Sequence, residues 1–274
     1  MCIRDSALAE GRPIHIAHVN AYCRGQITGD PLLEASRALK ALAEAPAARS
    51  ESYLSLWNGT SARVVDSAPR SHVTRTCLLT GGYPPTAAGM EEAILAGWAR
   101  VHGTLEGKIE LLPPALGLES YRMRDSSVYV SFPVNSPGAA IALAIAKSGD
   151  SFSINALSTD GGGIPRNTTL EQGLALVRFG ALSMKDLVRK ASLNPAQMLG
   201  LPEKGRLSPG ADADVVVVDP DTHAVSWAVV EGQIVVRDGS VVGRGGRLVT
   251  SKRGVAALTE KEMPSRVVVP DWMR

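Results

Sequence analysis

The sequence predicts an α/β protein built on a parallel sheet, followed by a smaller all-β module. Three observations carry that reading. An apolar strand, an amphipathic helix and a second strand follow one another over residues 13–57. A further strand at 152–157 is followed by two helical patterns, and residues 213–242 change to valine-rich runs separated by hairpin turns. Strand–helix–strand order is the unit of a parallel sheet, because a parallel partner is reached only through a long crossover that a helix supplies.

Taken in order, Met1–Ser6 (MCIRDS) resembles a translated sequencing-adapter remnant and is set aside from the fold, which puts the expected natural start upstream. Pro13–Asn20 (PIHIAHVN) reads as a short buried strand, apolar at Ile14, Ile16 and Val19 and interrupted by two histidines. Asp30 before Pro31 is a helix start: the carboxylate caps free N–H groups, and proline at the first position lacks an N–H that would go unpaired anyway. Leu32, Ala35, Leu39 and Leu42 follow at helical spacing until Pro46. Tyr53–Trp57 (YLSLW) alternates as the next strand and ends at the turn pair Asn58-Gly59.

From about residue 66 to 149, prolines and glycines multiply around one clear helix, Thr86–Val101. Its Met90, Ile94, Trp98 and Val101 share a face, which at this spacing is packing. The segment is too long for a plain loop and is read as an insertion. Phe152–Leu157 resumes the sheet and leads to Asp160. Thr168 with Glu171, and Ser183 with Asp186, have the spacing of helix-capping pairs. Asn194-Pro195 is expected to break the second helix. Ala213–Asp219 (ADVVVVD), Val225–Val230 and Gln233–Arg237 are strands, joined in part by the turn pair Glu231-Gly232 and followed by Asp238-Gly239. The tail from Ser251 carries no functional reading.

Composition excludes several classes. With 274 residues, 45% hydrophobic and 20% charged, the chain has the balance of a folded globular protein. Its net charge is +2, its 29 basic residues are scattered and its aromatics are 4%, so no nucleic-acid surface is expected. No run approaches the roughly 18 apolar residues of a membrane span, and the start lacks the apolar core of a secretory signal, so no membrane association and a cytoplasmic location are expected. Cys2, Cys23 and Cys77 show no CxxC spacing and read as ordinary reduced thiols.

The chemistry-bearing stretch is Ala156–Gly163 (ALSTDGGG), which puts the Asp160 carboxylate at the end of an apolar strand and follows it with turn glycines. A carboxylate there can hold a metal or accept a proton; it is also an ordinary way to leave a strand. Asp212 and Asp214 sit in a strand-entry turn and read as structural hydrogen-bonding groups.

In order, HxxHxN (His15, His18, Asn20), STDGGG around Asp160, SLNPAQMLGL (Ser192–Leu201) and KGRLSPGADADVVVVD (Lys204–Asp219) resemble the C-terminal half of the amidohydrolase superfamily. The resemblance spans about residues 11–245. It implies an α/β fold in which residues 7–200 form part of a distorted (β/α)8 barrel with the insertion at about 66–149. Residues 201–250 would form a β-sandwich module and 251–274 a tail. It places metal ligands at the C-terminal strand ends. His18 falls on the sixth-strand histidine ligand, and Asp160 on the eighth-strand aspartate that touches metal and takes the proton from the attacking water. His15, an odd number of residues from His18, would point to the opposite face of a regular strand, so it is either a further ligand or a histidine bonded to backbone. Asn20, Arg24, Gly161 and Gly162 are the expected substrate-binding residues, with Arg24 suited to clamp a carboxylate through its two-pronged guanidinium or to lie solvated in its loop.

The implied cofactor is zinc, as one or two divalent ions, which lower the pKa of water toward about 7. The implied partner is a small-molecule amide: an N-acyl amino acid, an isopeptide as for isoaspartyl dipeptidases, or a cyclic amide as for hydantoinases. The long insertion resembles that of D-aminoacylases, and a homo-oligomer is compatible with the family. Alternatives are a nucleobase-type deaminase and a scaffold without catalysis. The family's first-strand HxH pair, fourth-strand bridging ligand and fifth-strand histidine have no counterparts here, so this stretch by itself is expected to be inactive.

Overall fold

The computed structural model describes residues 14–160, 168–246, 248–250, 252–261 and 265–267. Its centre is a three-stranded parallel sheet in which Arg49–Tyr53 lies between His15–Ile16 and Ala156–Ser158. The middle strand was expected at Tyr53–Trp57; it lies four residues earlier, on the polar run RSESY, of which four residues are buried. A central strand is covered on both faces, so its burial does not need an alternating pattern.

Helices cover this sheet. Pro31–Ala43 begins as expected, with Asp30 Oδ1 accepting from the backbone N–H of Leu32 and Leu33. It packs with Pro137–Ile145 around Val19, Cys23, Ala35, Ala139, Leu143 and Ile154. Thr169–Arg178 and Met184–Val188 enclose a second cluster that includes Leu157, Leu174, Leu182 and Leu187. Ser183 caps its helix through Asp186 N, whereas the Thr168 hydroxyl bonds Gln172 and makes no cap.

Between the second and third parallel strands the chain builds a separate lobe. Its antiparallel sheet joins Asn58–Ser61, Tyr129–Phe132, Arg100–Leu105 and Lys108–Leu111, and its core holds Leu78, Met90, Ile94, Val101, Val130 and Phe132. The lobe therefore starts near residue 58 rather than 66, and helix Pro137–Ile145, expected inside the insertion, belongs to the layer on the parallel sheet. The expected helix Thr86–Val101 stops at Leu95. Gly97, at φ +76°, turns the chain, and Val101 reaches the same core from a strand.

Pro195 does not break the helix it interrupts. Met184–Val188 runs through a π-turn, Arg189–Leu193, into Asn194–Met198. The wider i→i+5 bonding leaves no hydrogen bond for the missing proline N–H to forfeit. The residues of the exit segment hold this junction closed. Asn194 Nδ2 donates to Asn155 O at 2.6 Å, and Lys204 Nζ bridges Asp212 and Asp214 at 2.9 and 2.5 Å. A Cβ on Gly205 would lie 2.6 Å from Ser192 O, so only glycine permits this approach.

The exit segment leads into a four-stranded antiparallel meander, Val215–Val218, Val225–Val230, Gln233–Arg237 and Ser240–Val241. Glu231-Gly232 and Asp238-Gly239 turn its hairpins with positive φ at both positions, as such two-residue turns require. Among the described residues the meander is one sheet, and Leu248–Thr250 lies in a separate two-stranded parallel sheet with Ser265–Val267, so the sandwich expected over 201–250 is not seen as two packed layers. No helix among them is long and apolar enough to cross a membrane.

Candidate functional site

The site lies where the three parallel strands end, and its backbone is already unusual there. His18 follows the first strand at φ +56°, and Asp160 follows the third at φ +49°. Non-glycine residues rarely hold this left-handed conformation, and it persists where surrounding structure imposes it. The effect is to aim both side chains at one point: His18 Nε2 and Asp160 Oδ1 are 3.4 Å apart.

Glu51, on the middle strand, ties the three strand ends together. Its Oε1 accepts from the His18 backbone N–H at 2.7 Å and lies 2.6 Å from His18 Nδ1, a close contact without the in-line geometry of a hydrogen bond. Its Oε2 accepts from the Ser158 hydroxyl. Glu51 is buried and Asp160 is partly exposed, so the imidazole stands between an inner and an outer carboxylate. Sequence reading missed Glu51. The available signal was its place two residues before Tyr53, which puts both on the same strand face beneath His18.

Tyr53, fully buried, meets the His18 ring edge-on at 5.7 Å between centroids. Burial raises its phenol above the ordinary value; Asp160 adds to the rise, and Arg24 opposes it. Asn20 was expected to face substrate. It is instead buried, with Oδ1 accepting from Ser52 Oγ at 3.0 Å and Tyr53 N at 3.1 Å, which pins the turn after His18 to the middle strand. A small polar side chain beside a strand end is drawn in because the strand's last N–H groups need acceptors.

Arg24 reaches the same region and ties it to the lobe. Its Nε donates to Asn135 Oδ1 at 2.8 Å and its Nη2 to Asn58 Oδ1 at 3.0 Å and Tyr53 Oη at 3.4 Å. The loop carrying it is organised by Glu34, whose carboxylate accepts from the N–H groups of Gly25, Ile27 and Thr28. Burial works against that charge, but these bonds outweigh it and hold the carboxyl below its ordinary value. With Nε and Nη2 bonded within the protein, Arg24 is neither a free two-pronged clamp nor a solvated loop residue.

His15 is exposed on the edge strand, opposite Arg49 in register, and is not among the groups gathered around Asp160. Gly161 and Gly162 lie outside the described residues. Cys23 and Cys77 are buried free thiols, and burial pushes Cys23 up to about 11, which suits neither a nucleophile nor a ligand.

Two ligands of one tetrahedral ion at about 2.1 Å stand about 3.4 Å apart, so the His18 Nε2 to Asp160 Oδ1 separation fits a shared cation. Glu51 faces the other ring nitrogen and does not complete the set. Among the described residues no three His, Cys, Asp or Glu side chains are grouped to hold a metal.

Comparison with known proteins finds a family likeness for part of the chain. Residues 133–252 match the sequence profile of the amidohydrolase family. The dihydroorotase of Syntrophus aciditrophicus is 53% identical over 62 residues, 23% of this chain and 14% of that protein. The dihydroorotase of Pelotomaculum thermopropionicum is 54% identical over 46 residues, 17% of this chain and 10% of that protein. A D-aminoacylase structure superposes with TM-score 0.54 at 16% identity, over 88% of this chain and 50% of that one. The formyltransferase/hydrolase complex of Methylorubrum extorquens gives TM-score 0.54 at 18% identity, over 97% and 56%. Another D-aminoacylase structure is titled for that enzyme's binuclear metal centre. The chain thus shares its fold with about half the length of these solved proteins and matches a smaller share of the curated relatives. Residues 133–252 are thus similar to the amidohydrolase family, and the likeness of the chain to the solved structures is one of fold.

Proposed function

We propose, on the premise of that relationship, that this chain supplies the C-terminal part of a (β/α)8 barrel, its exit module and part of the active site of a metal-dependent hydrolase. The reaction is cleavage of a C–N bond in a small soluble N-acyl amino acid, isopeptide or cyclic amide, in the cytoplasm. The observation that carries the reading is the convergence of His18 Nε2 and Asp160 Oδ1 to 3.4 Å at the rim, each on a left-handed backbone.

His18 and Asp160 would hold a zinc ion, alone or as one of two divalent ions. A bound zinc lowers the pKa of water toward about 7 and so makes a nucleophile available at neutral pH. Asp160 then accepts the proton of the attacking water on a carboxylate oxygen and delivers it to the leaving nitrogen. Glu51 lies against Nδ1 and fixes the ring so that Nε2 faces outward, the arrangement by which a carboxylate orients a ligating imidazole. Arg24, held by Asn58 and Asn135, would meet a substrate carboxylate.

With two ligand side chains assembled, the 274-residue chain alone is expected to turn over at least ~100-fold more slowly than the same chain joined to its upstream coding sequence. Both proteins, zinc-loaded, are assayed for amine and carboxylate release from N-acetyl amino acids, isoaspartyl dipeptides and hydantoins. The proposal expects hydrolysis by the longer protein that a chelator abolishes and zinc restores. Ammonia release with no new carboxylate, or hydrolysis insensitive to chelation, would overturn it.

A further inference from the structure

The opposite end of the parallel sheet holds a polar cavity. It has a volume of about 400 Å³, within the range that takes a small metabolite, and lies between the start of the middle strand, the turn at 150–152 and the π-turn. Asp160 lies at the far end of the third strand, while Asn155, immediately before that strand, lines this cavity.

Its lining combines opposite charges that the fold leaves unused. Arg49, Arg189 and Asp150 line it, and none of the three side chains makes a hydrogen bond or ion pair among the described residues. The amides beside them are set in orientation. Asn155 Oδ1 accepts from Ser50 N at 2.8 Å, which turns its Nδ2 away from that bond; Asn194 Nδ2 donates to Asn155 O, which leaves its Oδ1 available. Gln197 adds an unengaged carboxamide at the rim. Asp186 also lines the cavity; it accepts from Ser183, faces Lys147 at 3.8 Å and is drawn below its ordinary value by these and by the charge of Arg189, which a ligand carboxylate would share. Two guanidinium groups outside any hydrogen bond, an unbonded carboxylate and prearranged amides match a ligand with a carboxylate at one end and an ammonium at the other.

We propose that this cavity binds small zwitterions of the free amino-acid class, the carboxylate on Arg49 and Arg189 and the ammonium toward Asp150. Paired charge is what separates this from a general anion site. Asp150 and Asp186 oppose a dianion such as phosphate, while the arginines oppose a simple amine.

The test is calorimetric titration of the metal-stripped 274-residue protein with glycine and L-alanine, against acetate, methylammonium and inorganic phosphate. Stripping the metal prevents an amino acid from ligating an ion at His18 and Asp160, and Asp160→Asn is carried as a control that should bind unchanged. The inference expects saturable binding of both amino acids, about tenfold tighter than acetate or methylammonium and weakened about tenfold by Arg189→Gln or Asp150→Asn. Both substituted positions are exposed, and matched thermal midpoints verify folding. Absence of amino-acid binding overturns it, as does affinity no better than acetate's, preference for phosphate, or indifference to both substitutions. Loss of binding in Asp160→Asn alone would place the ligand at the other end of the sheet and would also overturn it.

Discussion

Asp160→Asn is expected to lower turnover at least ~100-fold in any longer protein in which this chain takes part in hydrolysis, because a positioned general acid–base group typically contributes that much. The substitution removes the proton-accepting carboxylate and also weakens a proposed zinc ligand, so turnover is measured at saturating zinc. Asparagine tolerates a left-handed backbone as well as aspartate does, so φ +49° adds no new strain, and its carbonyl oxygen can still face His18 Nε2. Unchanged circular dichroism and thermal midpoint should therefore accompany the lost activity. Asp160→Ala is the contrast, since a residue less suited to that conformation adds a backbone penalty of order 1 kcal/mol or more. If Asp160→Asn kept more than a tenth of the wild-type rate, its carboxylate would not be the proton carrier.

A second large effect is expected at Lys190, far from that rim. Its side chain is fully buried, with Nζ donating to Ala144 O at 2.7 Å and Ile154 O at 2.8 Å and standing 4.1 Å from the centre of the Phe152 ring. Burial pushes its ammonium down to about 7; Asp186 opposes the shift and Lys147 adds to it. A lysine with a depressed native pKa binds fewer protons folded than unfolded between about 7 and 10.5, so its contribution to stability rises with pH across that window and is flat below it. The full window corresponds to on the order of 5 kcal/mol, and the two carbonyls and the ring face, which favour the charged form, reduce it. The check is denaturant unfolding of wild type and Lys190→Met at a series of pH values. The stability difference should move in favour of wild type by at least about 1 kcal/mol between pH 7 and pH 10. A difference that stays constant would mean that Lys190 is charged in the native protein throughout.

These two residues also mark what the sequence exposed and what it hid. His18 and Asp160 stood out because each ends a short apolar strand inside an ordered set of segments, and the structure places them side by side. Glu51 was hidden because its strand, Arg49–Tyr53, is polar, and strand detection follows apolar alternation to the next run, YLSLW. Asn20 was legible as a residue near the site but not as a buried one, since whether an amide faces substrate or a strand end depends on which backbone groups lack partners. The π-turn ahead of Pro195 follows from packing around Lys190, and proline seen alone points only to a break. Hairpin turns were legible throughout the final sheet because positive φ at both turn positions restricts residue choice locally. The lobe's limits were not, because its first strand begins at the same Asn58-Gly59 pair that reads as a turn.

The central claim is that one cation is shared between the first and third parallel strands, and anomalous diffraction at the zinc edge from zinc-soaked crystals tests it most directly. The account predicts a peak about 2.1 Å from both His18 Nε2 and an Asp160 carboxylate oxygen, absent from crystals of His18→Ala. Zinc bound elsewhere with this pair unliganded, or an undiminished peak at this position in His18→Ala, would contradict it.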